Sequence, residues 1–286
     1  MIQLERVVPA RDPFDESDRS VGISPLIERS DHAAPSAFRP ENMLREARRQ
    51  KGLGNGSVPR VCILDPDGDL VDFVQTEYGA SRSENWACYH TRMWEWEQAG
   101  IRYGIVGHAV GGPFSVLVAE QLFVSGCGLL ISMASAGQIS DRAERTYYVL
   151  IERALRDEGT SYHYLPSAAY VEADRRLLDL ALEAVSPSGV PMLSGSTWTT
   201  DAPFRETEDA IARRKAEGLL AVEMEAAALY AFAAARECDV LCLAHVTNQF
   251  GRAQGDFDKG PRNGAETSMR MVASIAGAWL VERGIA

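Results

Sequence analysis

The feature that most constrains this chain is a recurring unit: a short apolar run, a turn of small or turn-forming residues, then a stretch with helical spacing. Val61-Cys-Ile-Leu64 stops at Asp65-Pro-Asp-Gly68. Tyr103-Gly-Ile-Val-Gly107 runs into Gly111-Gly-Pro113, and Gly128-Leu-Leu-Ile-Ser132 also ends in small residues. Runs of four or five apolar residues bounded by turns have strand length and fall short of a helix. Further strands are expected at 147–152, 190–195, 218–222 and 240–246, and helices at 115–125, 172–185, 223–236 and 267–283. Strands separated by helices predict a mixed, largely parallel sheet covered on both faces. Ligands of such sheets lie beyond the carboxyl ends of the strands, where the turns gather.

Residues 1–55 do not share this pattern. They are rich in Asp, Arg, Ser and Pro, and their one ordered piece is a short helix from Pro40 to Lys51, stopped by Gly52 and Gly54. They read as an N-terminal extension to one domain spanning 56–286. A net charge of −11 argues against a nucleic-acid surface, which needs a basic footprint. No run approaches the ~18 apolar residues of a membrane span, and the N-terminus has no leader-like pattern, so a cytoplasmic location is expected. The five cysteines form no CxxC pair, and buried structural thiols are the reading for Cys238 and Cys242.

The chemistry concentrates in Ala221-Val-Glu-Met-Glu-Ala-Ala-Ala-Leu-Tyr-Ala231, where two carboxylates flank a methionine as a strand passes into an Ala-rich helix. Side chains of an extended chain alternate, so Glu223 and Glu225 face different ways. One can meet a ligand while the other holds the turn. A carboxylate accepts two hydroxyl protons at once, which suits a vicinal diol. The bland alternative is a pair of acids drawn to a helix N-terminus by its dipole.

Val222-Glu-Met-Glu-Ala-Ala closely resembles the ribose-binding signature of the purine nucleoside and uridine phosphorylase family. Three other stretches resemble that family in the same order: Gly107-His-Ala-Val-Gly-Gly-Pro-Phe-Ser115, Arg156-Asp-Glu-Gly-Thr-Ser-Tyr-His-Tyr-Leu-Pro166 and Gly195-Ser-Thr-Trp-Thr-Thr-Asp201. The resemblance implies a single-domain, three-layer α/β/α nucleoside-phosphorylase-like fold. It implies sugar binding by Glu225 and Met224 with Glu223 in support, and base contacts from Trp198 and Thr199. It also implies a nucleoside substrate with no cofactor, no metal and no membrane partner, and a homo-oligomer, dimer or hexamer.

The departures from the family pattern matter as much. Family phosphorylases hold phosphate with arginines, whose planar fork matches a phosphate face. The matching positions here are Asp69, Ser132 and, counting back from Gly111, Tyr89; Arg82 and Arg92 lie near enough in sequence to substitute. The phosphate or water side would then comprise Asp69, Gly111, Ser132 and Ser135. Ser135-Ala-Gly137 also resembles the hydrolytic nucleosidase branch, in which a carboxylate after the first strand activates water. Asp69, or Asp67, is the expected general base, against the alternative that Asp-Pro-Asp-Gly-Asp is a surface turn. Trp198 is expected to stack on the base, against a core tryptophan. Asn248 is expected at the base as a hydrogen-bonding stabiliser. The positions matching uracil-reading residues are Thr207 and Asp209, which are unsuited to that task, leaving Arg205 as a substitute. No histidine pair has metal-ligand spacing, and His108 reads as a structural histidine. The expected reaction is cleavage of an N-glycosidic bond, with water ahead of phosphate. A phosphorylase with a relocated phosphate site and a non-catalytic nucleoside binder are the alternatives. An oxidoreductase-like α/β domain has no supporting motif.

Overall fold

The computed structural model describes residues 24–27, 31–144, 146–251 and 254–285. Its strands, in chain order, are β1 (Val61–Asp65), β2 (Ser81–Arg82), β3 (Met93–Gln98), β4 (Ile101–Gly107), β5 (Leu129–Gln138), β6 (Tyr147–Asp157), β7 (Tyr170–Glu172), β8 (Met192–Thr200), β9 (Ala221–Glu223) and β10 (Asp239–Asn248). The helices are α1 (Pro40–Lys51), α2 (Asp69–Glu77), α3 (Gly112–Val124), α4 (Arg175–Val185), α5 (Glu208–Ala216), α6 (Ala226–Arg236) and α7 (Ala265–Glu282).

The sheet is mixed. It is parallel through β4–β1–β5–β10 and through β6–β8–β9. It is antiparallel at β3–β4, β10–β6 and β5–β9. Because β5 pairs with both β10 and β9, the strands β5, β10, β6, β8 and β9 form a closed ring, from which β1, β4, β3 and β2 extend as an open sheet. Alternation along each strand sorts side chains to two helical layers. Val61, Ile63, Ile131 and Leu241 pack with α2, α4 and α7. Cys62, Leu64, Leu130 and Cys242 pack with α3 and α6. The architecture is therefore three layers, α/β/α.

Five elements depart from the sequence expectation: α2, α5, β2, β3 and β7. Asp69 does not sit in a loop: α2 starts there, because Asp65 turns back and accepts the amide of Val71 at 2.9 Å. Strand β3, which lies between β4 and β2, was not expected, since its mixed aromatic and charged residues form no apolar run. Nor was α5, which buries only Ile211. The short helix of the extension, α1, forms as read. It buries Leu44 and Ala47 against Ala87, and the Lys51 ammonium donates to the carbonyls of Ala87 and Cys88.

Candidate active site

The carboxyl ends of β1, β5, β9 and β10 converge on the N-termini of α2, α3 and α6, and two groups of polar side chains meet there. The first is built on the turn between β9 and α6. Glu223 is buried, and its two oxygens have four donors. The Thr197 and Thr199 hydroxyls donate to Oε1, and the amides of Glu225 and Ala226 donate to Oε2, each at 2.7 Å. Thr199 in turn accepts the amide of Ala227 at 3.0 Å. Glu223 thus caps α6 from outside it, and this is why the helix begins at Ala226 and not at Glu223. Every acceptor site that matters on Glu223 is committed to the scaffold.

Glu225 faces the other way, as alternation requires. Its Oε1 accepts the Gly111 amide at 2.7 Å, while Oε2 has only a long contact, 3.3 Å, from the Met224 amide. Gly111 adopts φ +85, a left-handed conformation that suits glycine, and this aims its N–H across 114 residues of sequence at the carboxylate. Burial, then the charge of Glu223, pushes the Glu225 carboxyl up to about 8, against the pull of the Gly111 and Met224 amides. Met224 stays partly exposed beside it.

The second group lies at the end of β1. The Ser135 hydroxyl and amide both donate to the same oxygen of Asp67, the amide at 3.1 Å. The Lys259 ammonium bridges Asp67, at 3.0 Å, and Asp69. Asn263 donates to the other Asp69 oxygen at 2.9 Å. For Lys259, burial works against the charge, but the two carboxylates outweigh it and hold the ammonium above its usual range. Asp65 lies beneath, pushed up to about 7 by burial and by the charges of Asp67 and Asp69. His245 closes the floor, its ring stacked on Tyr148 at 4.4 Å. Burial and then Lys259 push it down to about 4, so it is neutral at pH 7. These side chains border a space of about 20 Å³. The two groups are neighbours, since the charge of Asp67 acts on Glu225. Gly68, at φ +90, seats the His108 ring, and a Cβ there would meet that ring at 2.1 Å.

Several expected roles change with these positions. Trp198 is a core residue: it packs with Ile139, Leu155 and Val222, and its indole N–H donates to Asp157 at 2.9 Å. Thr199 is fully buried and holds Glu223. Ser132 lies buried in mid-strand, paired with Leu64 and Cys242, below the site. Thr207 caps α5 and Asp209 lies in its first turn. Asn248 does reach the end of β10. Its Oδ1 accepts the amide of Phe250 at 3.1 Å, and its side-chain amide has only long contacts, 3.4 Å, with Ala136 and Thr247. Phe250 lies against Gly137 near the end of β5. Arg82 lies on the edge strand β2, and the cation found among the carboxylates is Lys259, which the sequence reading missed. Only a lone lysine 190 residues from its partner would have signalled it.

Comparison with known proteins decides the family. The phosphorylase superfamily model matches residues 60–276, most of the chain. The chain belongs to the phosphorylase superfamily. This membership places it among glycosyltransferase-type enzymes that cleave N-glycosidic bonds. It is 25% identical over 221 residues to a uridine phosphorylase of Thermococcus kodakarensis, covering 69% of this chain and 78% of that one. It is 26% identical over 208 residues to a DeoD-type purine nucleoside phosphorylase of Alkaliphilus metalliredigens, covering 69% of this chain and 85% of the relative. The match to a DeoD-type enzyme of Shewanella oneidensis, at 29% identity, covers 50% of this chain and 62% of that protein. A crystal structure of uridine phosphorylase from Vibrio fischeri ES114 shares the fold, with a TM-score of 0.69 at 19% identity, over 79% of this chain and 95% of the other.

Proposed function

We propose that the protein cleaves the N-glycosidic bond of a nucleoside or nucleoside-like compound, with water as the attacking group. The sugar hydroxyls bind to Glu225, whose Oε2 is left with acceptor capacity and whose Oε1 is fixed by Gly111. Met224 borders the sugar, and Asn248 stabilises charge developing on the base through its loosely held amide. The general base is Asp67, in place of Asp69: Asp67 touches Ser135, while Asp69 is spent on Lys259 and Asn263.

One observation carries the preference for water. The donors that would hold a phosphate near the carboxyl end of β5, the Ser135 amide and hydroxyl and the Lys259 ammonium, already bond to the carboxylate of Asp67. The partly open space beside them, about 20 Å³, is large enough for a water. A phosphate dianion would have to displace Asp67 and meet Asp65 and Asp69 nearby, a repulsion that costs several tenths to a few kcal/mol.

A nucleoside panel incubated with the protein, with and without phosphate and followed by chromatography of free base, tests the reading. Equal release under both conditions supports it. Release only with phosphate would return the protein to the phosphorylases, and binding without release would make it a nucleoside-binding protein.

A further inference from the structure

Lys259 comes from the segment between β10 and α7, far from every motif that marks the site, and nothing in its sequence surroundings gives it a role. Its position is nonetheless specific. It is half-buried and contacts two carboxylates of the β1 end, one of them the group that sits on Ser135. We infer that Lys259 is a positioning residue of the reaction: its ammonium holds the Asp67 carboxylate against Ser135 and offsets the acidic field in which that carboxylate works. This inference rests on the proposed role of Asp67.

The argument is electrostatic and geometric. Asp67 is faced by acids from three directions: Asp65 below it on β1, Asp69 at the start of α2, and Glu225 at the start of α6. The other titratable neighbours give little relief. His245 on β10 is neutral at pH 7, and the His108 ring packs over Gly68. Among the described residues bounding the space of about 20 Å³, Lys259 is the one cationic side chain. A general base must be ionised to take a proton from water, and a neighbouring cation favours that form. An opposite charge within about 4–6 Å favours the ionised form by about one to three pH units. Lys259 also fixes direction. With Asn263 it draws Asp69 toward the 260 segment, leaving Asp67 on the serine. The segment itself is anchored at its start by Asp256, which accepts the amides of Gln249 and Gly251 at 2.8 and 2.7 Å.

The pH dependence of nucleoside cleavage by Lys259→Met tests this, because loss of a merely structural lysine would lower the rate or the melting temperature without moving the acid limb. We expect the acid limb of kcat to move up by at least about one pH unit. Lys259→Arg should restore it to within a few tenths of a unit. Lys259→Gln keeps a donor for Asp69 but no charge; it should behave as the Met variant does and serves if that variant folds poorly. A carboxyl ¹³C titration of Asp67 in wild type and the Gln variant reads the same shift without turnover. It therefore reads the coupling of Lys259 to Asp67 separately from turnover: absence of cleavage would sink the proposed function, while an unmoved carboxyl would sink the role of Lys259. An acid limb and a carboxyl midpoint that stay in place when the charge is removed would overturn the role of Lys259.

Discussion

The two halves of the site hold their carboxylates by different means. At the sugar end, Glu223 and Glu225 are satisfied by neutral donors: backbone amides and threonine hydroxyls supplied by the adjoining turn, by β8 and by Gly111. At the nucleophile end, Asp67 and Asp69 share an ammonium delivered from the other end of the chain. At Glu225 the neutral donors lower the carboxyl less than burial and the charge of Glu223 raise it, so the acid stays pushed toward its protonated form. A cation favours the charged form. The first arrangement suits a group that exchanges hydrogen bonds with sugar hydroxyls, and the second suits a group that must take a proton from water.

The predictions press on this contrast. The largest effect belongs to the nucleophile end: Asp67→Asn should lower kcat about 10³-fold with KM little changed, within the range for loss of a general base. Steady-state kinetics on the best substrate of the panel measures it, and a loss below tenfold would reassign the base. At the sugar end, Glu225→Ala removes hydrogen bonds worth about 1.5–3 kcal/mol each. It should cut kcat/KM by about 10²-fold or more, with KM carrying much of the loss, and should abolish calorimetric nucleoside binding at concentrations that saturate the wild type. Equal effects of the two substitutions on KM would erase the distinction between the ends.

Effects on stability sharpen it. Trp198→Phe deprives Asp157 of its indole donor and should cost about 1–2 kcal/mol in stability while leaving KM within twofold. A large KM change with unaltered melting would put the ring at the base after all. The last effect follows from proton linkage. The Glu225 carboxyl is raised to about 8 in the folded protein, from 4.5 when unfolded. Folding therefore takes up a proton between those values, and stability from this group declines as pH rises through that window. Glu225→Gln has no such proton, so its melting temperature should gain on wild type as pH goes from 5 to 8. The gain should be on the order of 3 kcal/mol across that range. A gain that shrinks with pH would contradict the raised value.

The same contrast explains what was legible in the sequence. The strands at 61–65, 101–107 and 239–248 were visible because consecutive apolar residues are buried on both faces of a covered sheet. Strand β6 runs on to Asp157, past its apolar run, because one side of the ring tolerates Glu152 and Arg153. Helix α2 was hidden by its first residues, which have turn chemistry, and by a cap supplied from Asp65, outside the helix. At the sugar end, donors and acceptors lie mostly within one contiguous motif, so residue order showed the arrangement. At the nucleophile end the partner of Asp69 is Lys259, and only the folded sheet brings them together. Trp198 misled because a strand tryptophan in a family-like motif does not disclose which face it takes.

The central claim, that water and not phosphate attacks the sugar, is tested most directly by ³¹P NMR of a reaction run in phosphate buffer. The account predicts free base accumulating while the inorganic phosphate resonance stays constant and no sugar phosphate appears. A phosphate-ester resonance growing in step with the free base would contradict it.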